Sequence, residues 1–194
     1  MNRILVEVKN DSIVIKIVNP GEETVEKTVV NYSVLKGPAF TGLDSSQIET
    51  LIADLLDAGR NCFEDSTLYL IFPQSVFYTM TLPAKPELSK LQQYNEHKFE
   101  IGVMFPYLEP DSFSLDVQPV VQSGFNNPNS ELITVINNEL LTFASKVKKR
   151  TGSPRVKIIV PFLSLKEFVK KNFPEDQKSV LLHISGNSII LASI

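Results

Sequence analysis

The stretch ILVEVKNDSIVIKIV, residues 4–18, decides the fold of this chain. Two β-branched, apolar runs flank the polar residues 9–11, and this pattern predicts two antiparallel strands joined by a tight turn. Residues 19–22, Asn-Pro-Gly-Glu, signal a second turn, and the partial alternation of residues 24–30 predicts a third strand. We therefore expect the chain to open with a three-stranded meander.

Alternating helix and strand patterns follow the meander and predict an α/β fold. Residues 46–49 form a capping box for a helix that ends at Gly59. Residues 66–72 are nearly all apolar, which predicts a strand buried on both faces and added in parallel to the meander. A strand over residues 75–82 is expected next, before a long helix that begins near Glu87. The apolar stripe predicted for this helix is Leu88, Leu91, Asn95 and Phe99.

Further hairpins and a further helix are predicted in the rest of the chain. The hairpins pair residues 113–118 with 131–136 and residues 179–185 with 188–193. Asn138 is expected to cap a helix that stops at Thr151-Gly152, ahead of a strand over residues 156–160. The apolar face predicted for that helix carries Leu141, Ala144, Val147 and Lys148.

The pattern changes from buried sheet to exposed helix and alternating hairpin near Thr81 and changes back near Ile136. We therefore predict a main α/β domain formed by residues 1–80 and 137–194. Residues 81–136 are predicted to form an inserted, small α+β subdomain.

Composition excludes several functional classes. The 194 residues carry a formal net charge of -3, so no positive field attracts nucleic acid, and no nucleic-acid partner is expected. No apolar run reaches the roughly 20 residues needed to cross a bilayer. The single Cys62 cannot form an intramolecular disulfide, which fits a reducing compartment. These features predict a cytoplasmic protein.

No catalytic or metal site is predicted from local motifs. His97 and His183 are far apart and lack the spacing of metal ligands, and we expect His97 to be a solvated helix residue. The chain has no Gly-x-Ser-x-Gly, Gly-x-Gly-x-x-Gly or Gly-Lys-Ser/Thr motif. Common nucleophile and nucleotide sites are therefore absent from the sequence.

The order of several short signatures is informative. One strand ends in Ile71-Phe72-Pro73, the next ends in Leu82-Pro83, and the long helix leads to a break at Phe105-Pro106-Tyr107. With the meander before them and the strand over residues 113–117 after them, this order resembles the PilM-like branch of the actin-like (ribonuclease H-like) ATPase fold. The cytoplasmic domain of the type II secretion L protein is similar. The resemblance implies an actin-like fold.

In actin-like ATPases two hairpin turns hold phosphate, each normally with an Asp-x-Gly, where Asp helps to place Mg²⁺ and Gly lets the backbone approach phosphate. The corresponding positions of the first turn are Glu7, Lys9 and Asp11 here, and those of the second are His183 and Ser185. Lys9 and Ser185 hinder close approach, so the resemblance implies neither a cofactor nor ATP hydrolysis. An alternative keeps ATP binding, with Glu7 and Asp11 as substitute Mg²⁺ carboxylates.

The chain stops at Ile194, directly after the second of these turns, where the family architecture has a second half. We therefore expect that half to be absent here. The apolar last strand would then have an unpaired edge, which invites pairing with a second copy as a homodimer.

The resemblance implies a noncatalytic scaffold at the cytoplasmic face of the inner membrane, in a type IV pilus or type II secretion assembly. The implied partners are the cytoplasmic tail of an inner-membrane assembly protein and the assembly ATPase, with membrane association only through these partners. The aromatic residues expected to anchor partners are Tyr94, Phe99, Phe105 and Tyr107. A further alternative is an unrelated α/β interaction module, in which the meander and residues 68–72 would not share one sheet.

Overall fold

The computed structural model describes residues 2–8, 12–18, 25–30, 53, 57, 63, 66–119, 130–164, 171, 180–185 and 188–193. The strands are β1 (Asn2–Val8), β2 (Ser12–Val18), β3 (Val25–Val30), β4 (Ser66–Ile71), β5 (Phe77–Pro83), β6 (Phe113–Pro119), β7 (Ser130–Asn137), β8 (Arg155–Ile159), β9 (Val180–Ser185) and β10 (Ser188–Ser193). Two helices with described bounds are α1 (Lys90–Met104) and α2 (Asn138–Thr151). The helix predicted from residues 46–49 to Gly59 lies outside the described residues, except that Ala53 and Asp57 are helical.

A five-stranded mixed sheet contains the opening meander, in the order β3-β2-β1-β4-β8. β1 pairs antiparallel with β2, and β2 pairs antiparallel with β3, as the sequence predicts. β4 pairs parallel with β1, with Leu68 opposite Ile4, and β8 adds in parallel to β4. The alternative of an unrelated module required the meander and residues 68–72 to lie in different sheets, so that alternative is wrong.

The core beside this sheet is built from alternate residues of β1 and β4 and from one face of α2. Ile4, Val6, Leu68 and Leu70 are buried on one face of the sheet, as the period of two requires, and Val14 and Thr67 are buried on the other face. The ring of Phe72 meets that of Phe143 edge to face, with centroids 6.0 Å apart. This ring contact packs α2, through Phe143, against the residue that follows β4.

The face predicted for α2 is partly correct: Val147 is buried as expected, but Leu140 and Phe143 are buried in place of Leu141 and Ala144. The buried residues are Leu140, Phe143, Val147 and Thr151, whereas Leu141 is 40% exposed. Both possible faces of α2 contain a leucine and Val147, so the spacing of apolar residues alone does not distinguish them. The burial of Phe143 determines which face packs on the core. The predicted end of α2 is confirmed: Gly152 follows Thr151 with φ of 68°, the left-handed conformation that favours glycine.

A second, three-stranded antiparallel sheet has the order β5-β7-β6. The predicted pairing of residues 113–118 with 131–136 is confirmed, with Leu115 opposite Val135. β7 also pairs with β5, which places it at the centre of the sheet. The hairpin of β9 and β10 is confirmed as a two-stranded sheet.

The chain divides into two compact units, residues 1–76 with 139–165 and residues 77–138 with 166–194. The domain limits expected from the sequence, 1–80 with 137–194 around an inserted 81–136, stay a prediction. Within the described part of the chain, every helix is too short or too polar to span a bilayer.

Candidate functional site

Helix α1 begins where a local capping motif starts it and ends ahead of a proline. The hydroxyl of Ser89 accepts the backbone N–H of Gln92, and the Gln92 side chain accepts the N–H of Ser89, which completes a capping box. The helix therefore starts at Lys90 and not near Glu87. It ends at Met104 because Phe105 precedes Pro106, and a residue before proline disfavours helical backbone.

An apolar stripe on α1 points to solvent. Leu91 is 71% exposed, Phe99 is 70% exposed and Val103 is 64% exposed. These residues lie eight and four positions apart, so with Asn95 they form one row along the helix. The apolar stripe that the sequence predicts through Leu91 and Phe99 is therefore present on the helix, and it faces solvent. We call Leu91, Asn95, Phe99 and Val103 the outer stripe.

The opposite face of α1 packs on the sheet of β5, β6 and β7 through a histidine. His97 and Ile101 are both 0% exposed, and they are the buried residues of this helix. Each helical residue turns by about 100°, so His97 points nearly opposite to Phe99. The expectation that His97 is solvated is therefore wrong, because it faces β7 and finds charged partners there.

The imidazole of His97 lies between two glutamates. Its Nε2 is 2.7 Å from Oε2 of Glu131 on β7, and its Nδ1 is 3.3 Å from Oε2 of Glu100 on α1. The other oxygen of Glu100, Oε1, accepts a 2.7 Å hydrogen bond from Nζ of Lys85, which also donates to Oε2 of Glu96 at 3.3 Å. We call these five residues the charged network.

The charges within this network stabilise one another. The hydrogen bond from Lys85 lowers the pKa of Glu100, and His97 adds to this effect, while burial acts against it. The pKa of Lys85 is raised, chiefly by the same hydrogen bond. Glu100 and Lys85 therefore both stay ionised over the physiological range.

The arrangement is suited to holding α1 on its sheet. Both ring nitrogens of His97 already face carboxylates, and the ring is 0% exposed. Among the described residues, no group of three His, Cys, Asp or Glu side chains is arranged to hold a metal ion. The network joins α1 to β7 and to the segment after β5, so its role is to hold the helix in place.

Three aromatic rings cluster where α1 ends. Phe105 stacks on Tyr78 of β5, with centroids 5.0 Å apart, and meets Tyr107 edge to face at 5.9 Å. The hydroxyls of Tyr107 and Tyr78 are hydrogen-bonded to each other, with their oxygens 3.1 Å apart. This contact, followed by burial, raises the pKa of Tyr78 to about 12, so its phenol stays neutral. Phe105 is thus half-buried in a local cluster, while Tyr107 is exposed.

The other predicted anchors differ in how they are placed. Phe99 lies on the outer stripe, whereas Tyr94 is half-buried, and its hydroxyl accepts the backbone N–H of Leu115 at 3.3 Å. Tyr94 therefore helps to fix α1 on β6. The partner-binding role of all four aromatic residues stays a prediction.

The predicted phosphate-turn residues fall at two hairpins. Glu7 is half-buried on β1, opposite Val14 of β2 and Ile71 of β4. His183 and Ser185 lie on β9, opposite Ile190 and Ser188 of β10. Lys9 and Asp11 lie outside the described residues. The loss of phosphate binding at these turns stays a prediction.

Sequence analysis missed the charged network. A signal was present, because His97 lies four residues before Ile101 and three after Tyr94, which places all three on one helix face. The row through Leu91 and Phe99 carries more apolar residues, so a rule that buries the more apolar face selected the wrong one. The partner that reverses this choice, Glu131, is 34 positions away from His97.

No known family profile matches this sequence, and no curated protein matches it. Solved structures do match its fold. The cytoplasmic domain of EpsL, an inner membrane component of the type II secretion system of Vibrio cholerae, matches with a TM-score of 0.61 at 10% identity, over 100% of this chain and 68% of that one. A chain of the PilM-PilN type IV pilus biogenesis complex matches with a TM-score of 0.58 at 13% identity, over 93% of this chain and 53% of that one.

A Bacteroides thetaiotaomicron protein of unknown function, described as having an actin-like ATPase fold, matches with a TM-score of 0.48 at 10% identity, over 100% of this chain and 65% of that one. This chain spans about half the length of its match in the pilus complex. The fold expected from the sequence resemblance is confirmed: the chain has the fold of the EpsL cytoplasmic domain and of the matched chain of the PilM-PilN complex.

Proposed function

We propose that this chain is a noncatalytic docking protein at the cytoplasmic face of the inner membrane, in a type IV pilus or type II secretion assembly. The observation that carries the proposal is the outer stripe of α1, whose apolar side chains face solvent while a histidine is buried beneath them. Exposure of these apolar side chains to water is unfavourable. A protein partner that covers the stripe would remove these side chains from water, which is favourable.

The size of the stripe suits the centre of a protein interface. A fully exposed aromatic side chain offers about 200 Å², so Phe99, Leu91 and Val103 at their observed exposures present roughly 300 Å² of apolar surface. Patches of about this size on monomers are often functional. Gly102 lies beside Phe99 and Val103, and a Cβ there would meet no atom within 4 Å, so a partner can approach the helix backbone closely.

The polar residues around the stripe match the rim of such an interface. Gln92 and Glu96 are exposed beside the stripe on α1. Binding energy in interfaces concentrates in a few central apolar or aromatic residues, while a polar rim excludes water. Phe99 is therefore the expected anchor.

The fold supports the class of partner. A chain with a similar structure belongs to a complex of PilM with PilN, and EpsL is an inner membrane component of a secretion system. We propose that the partners are the cytoplasmic tail of a PilN-type inner-membrane protein and the assembly ATPase. Association with the membrane would then occur only through these partners.

Titration of the full chain with a labelled peptide from the PilN-type tail of the same organism tests this proposal by fluorescence anisotropy. We expect Phe99→Ser to weaken binding about tenfold or more, because it removes the central anchor. Leu141→Ser is the matched control, since Leu141 is an exposed leucine on α2 in the other unit. If the wild type does not bind, or if both variants bind as the wild type does, the docking assignment is wrong.

We also propose that the protein does not bind Mg-ATP and therefore does not hydrolyse it. The support is the sequence at the two phosphate turns, where Lys9 and Ser185 stand in place of glycine. Calorimetric titration with Mg-ATP tests this part, and binding in the micromolar range would favour the alternative with Glu7 and Asp11 as Mg²⁺ carboxylates.

A further inference from the structure

Helix α1 is held on its sheet by charges in a position where helices normally use apolar side chains. Its buried residues are His97 and Ile101, and Phe99 and Val103 point outward. Rotation of α1 about its own axis would bury Leu91, Phe99 and Val103 and would expose His97 and Ile101. Three apolar side chains would be buried for one exposed, so the hydrophobic effect favours that rotated arrangement. The bonds of His97 must therefore oppose it.

The hydrogen bonds of His97 depend on its protonation. A neutral imidazole has one N–H donor and one nitrogen lone pair, whereas an imidazolium has two donors. Carboxylate oxygens lie 2.7 Å from Nε2 and 3.3 Å from Nδ1, so only the imidazolium can donate to both Glu131 and Glu100. In the neutral form one carboxylate would face a lone pair of a ring that is 0% exposed, which is unfavourable.

We propose that His97 is a proton-dependent latch: its doubly protonated ring, bonded to Glu131 and Glu100, locks α1 in the rotation that presents the outer stripe. Loss of one ring proton breaks one of the two bonds and loosens α1 on the sheet. The stripe is then presented less well. This regulation concerns the docking surface of the proposed function and rests on it, but the latch itself is measurable without a partner.

The groups that face His97 agree with this behaviour. Glu100 and Glu96 come from α1, Glu131 from β7 and Lys85 from the segment after β5. The strand positions beside Glu131 are Leu82 on β5 and Pro119 on β6, and neither side chain titrates. With an imidazolium the network has two positive and three negative charges; with a neutral ring, one positive charge faces three negative ones. Loss of the ring proton therefore leaves a surplus of like charges.

Hydrogen exchange of the full chain tests the latch. Amide exchange is measured by mass spectrometry from about pH 5 to about pH 9 and corrected for the intrinsic pH dependence of exchange, for the wild type and His97→Gln. We expect wild-type α1 to lose about tenfold or more in protection as pH rises, while β1 and β4 keep theirs. In His97→Gln, whose amide cannot change charge, α1 should be less protected and its protection independent of pH.

Two further variants keep the test decisive. Glu131→Gln supplies a neutral partner that a neutral imidazole can bond, so the pH dependence of α1 should shrink even if His97→Gln does not fold. Lys98→Gln is the matched control: Lys98 lies on α1 with its Nζ 5.4 Å from the Phe113 ring centroid, outside the network, and the wild-type pH dependence should remain. The latch is wrong if wild-type α1 shows no pH dependence, or if Glu131→Gln keeps all of it.

Peptide titration at both ends of the pH range separates the latch from the docking function. If the PilN-type peptide binds the wild type equally well at both pH values while α1 exchange stays constant, docking stands and the latch is refuted. If α1 protection depends on pH as expected and no peptide binds, the latch stands and the docking assignment fails.

Discussion

Replacement of Glu131 by alanine tests the bond that joins β7 to the charged network. The substitution removes the carboxylate 2.7 Å from His97 Nε2. His97 is 0% exposed and Glu131 is 15% exposed, so the ring cannot turn to water to replace its lost partner. Glu131→Ala therefore leaves a buried imidazole with only the longer contact to Glu100.

The expected cost follows from this burial. Leaving a buried hydrogen-bonding group without its partner costs about 1–3 kcal/mol, and more where one of the two groups is charged, as Glu131 is. With the remaining contact to Glu100 at 3.3 Å, we expect a cost of about 2–4 kcal/mol. For a chain of this size, 1 kcal/mol corresponds to about 2–4 °C in Tm, so we expect Tm to fall by roughly 4–16 °C.

Urea and thermal unfolding at neutral pH, followed by circular dichroism, measure the effect. Glu109→Ala is the matched control, because Glu109 is an exposed glutamate between α1 and β6, and it should change the free energy of unfolding by less than about 0.5 kcal/mol. The double variant His97→Leu with Glu131→Leu removes both charges together and should recover most of the loss. A Glu131→Ala protein as stable as the control would refute the idea that the network holds α1.

Three other predictions concern pH, packing and assembly. Lys85 lowers the folded-state pKa of Glu100, so the stabilising contribution of Glu100 is present above its ordinary pKa of about 4.5 and is lost as pH falls through the folded-state pKa. Glu100→Gln should therefore make the free energy of unfolding, measured with urea, depend less on pH on the acid side. A dependence as steep as that of the wild type would contradict this. Phe143→Ala should cost about 3–5 kcal/mol, because Phe143 is 0% exposed and packs on Phe72, and a loss below about 1 kcal/mol in urea unfolding would show that α2 is held otherwise. The homodimer expected from the apolar last hairpin should appear in sedimentation equilibrium as twice the monomer mass, and a monomer at about 100 μM would exclude stable pairing.

Local patterns in the sequence predicted the strands well. Strands depend on alternation over five to eight neighbouring residues, and turns depend on Gly, Pro, Asn and Asp at fixed positions, so both signals lie close together in the chain. The meander, the parallel addition of β4 and the hairpin of β6 with β7 are confirmed for this reason. The order of these elements, with the Pro-terminated strands, was enough to indicate the actin-like fold.

The rotation of each helix about its axis was determined by tertiary contacts and not by local sequence patterns. α1 carries apolar residues on one face and His97 with Ile101 on the other, and counting apolar residues selected the face with Leu91 and Phe99. The choice was reversed by a bond to Glu131, which reaches α1 only because β7 lies at the centre of its sheet. In α2, burial of Phe143 against Phe72 moved the face by one residue.

The sequence by itself determined the strands and their order, because these arise from the periodicity of neighbouring side chains. Only the tertiary structure decided which face of α1 is wet. That choice rests on charges far apart in the chain, whose energies depend on distance and burial that no local pattern contains.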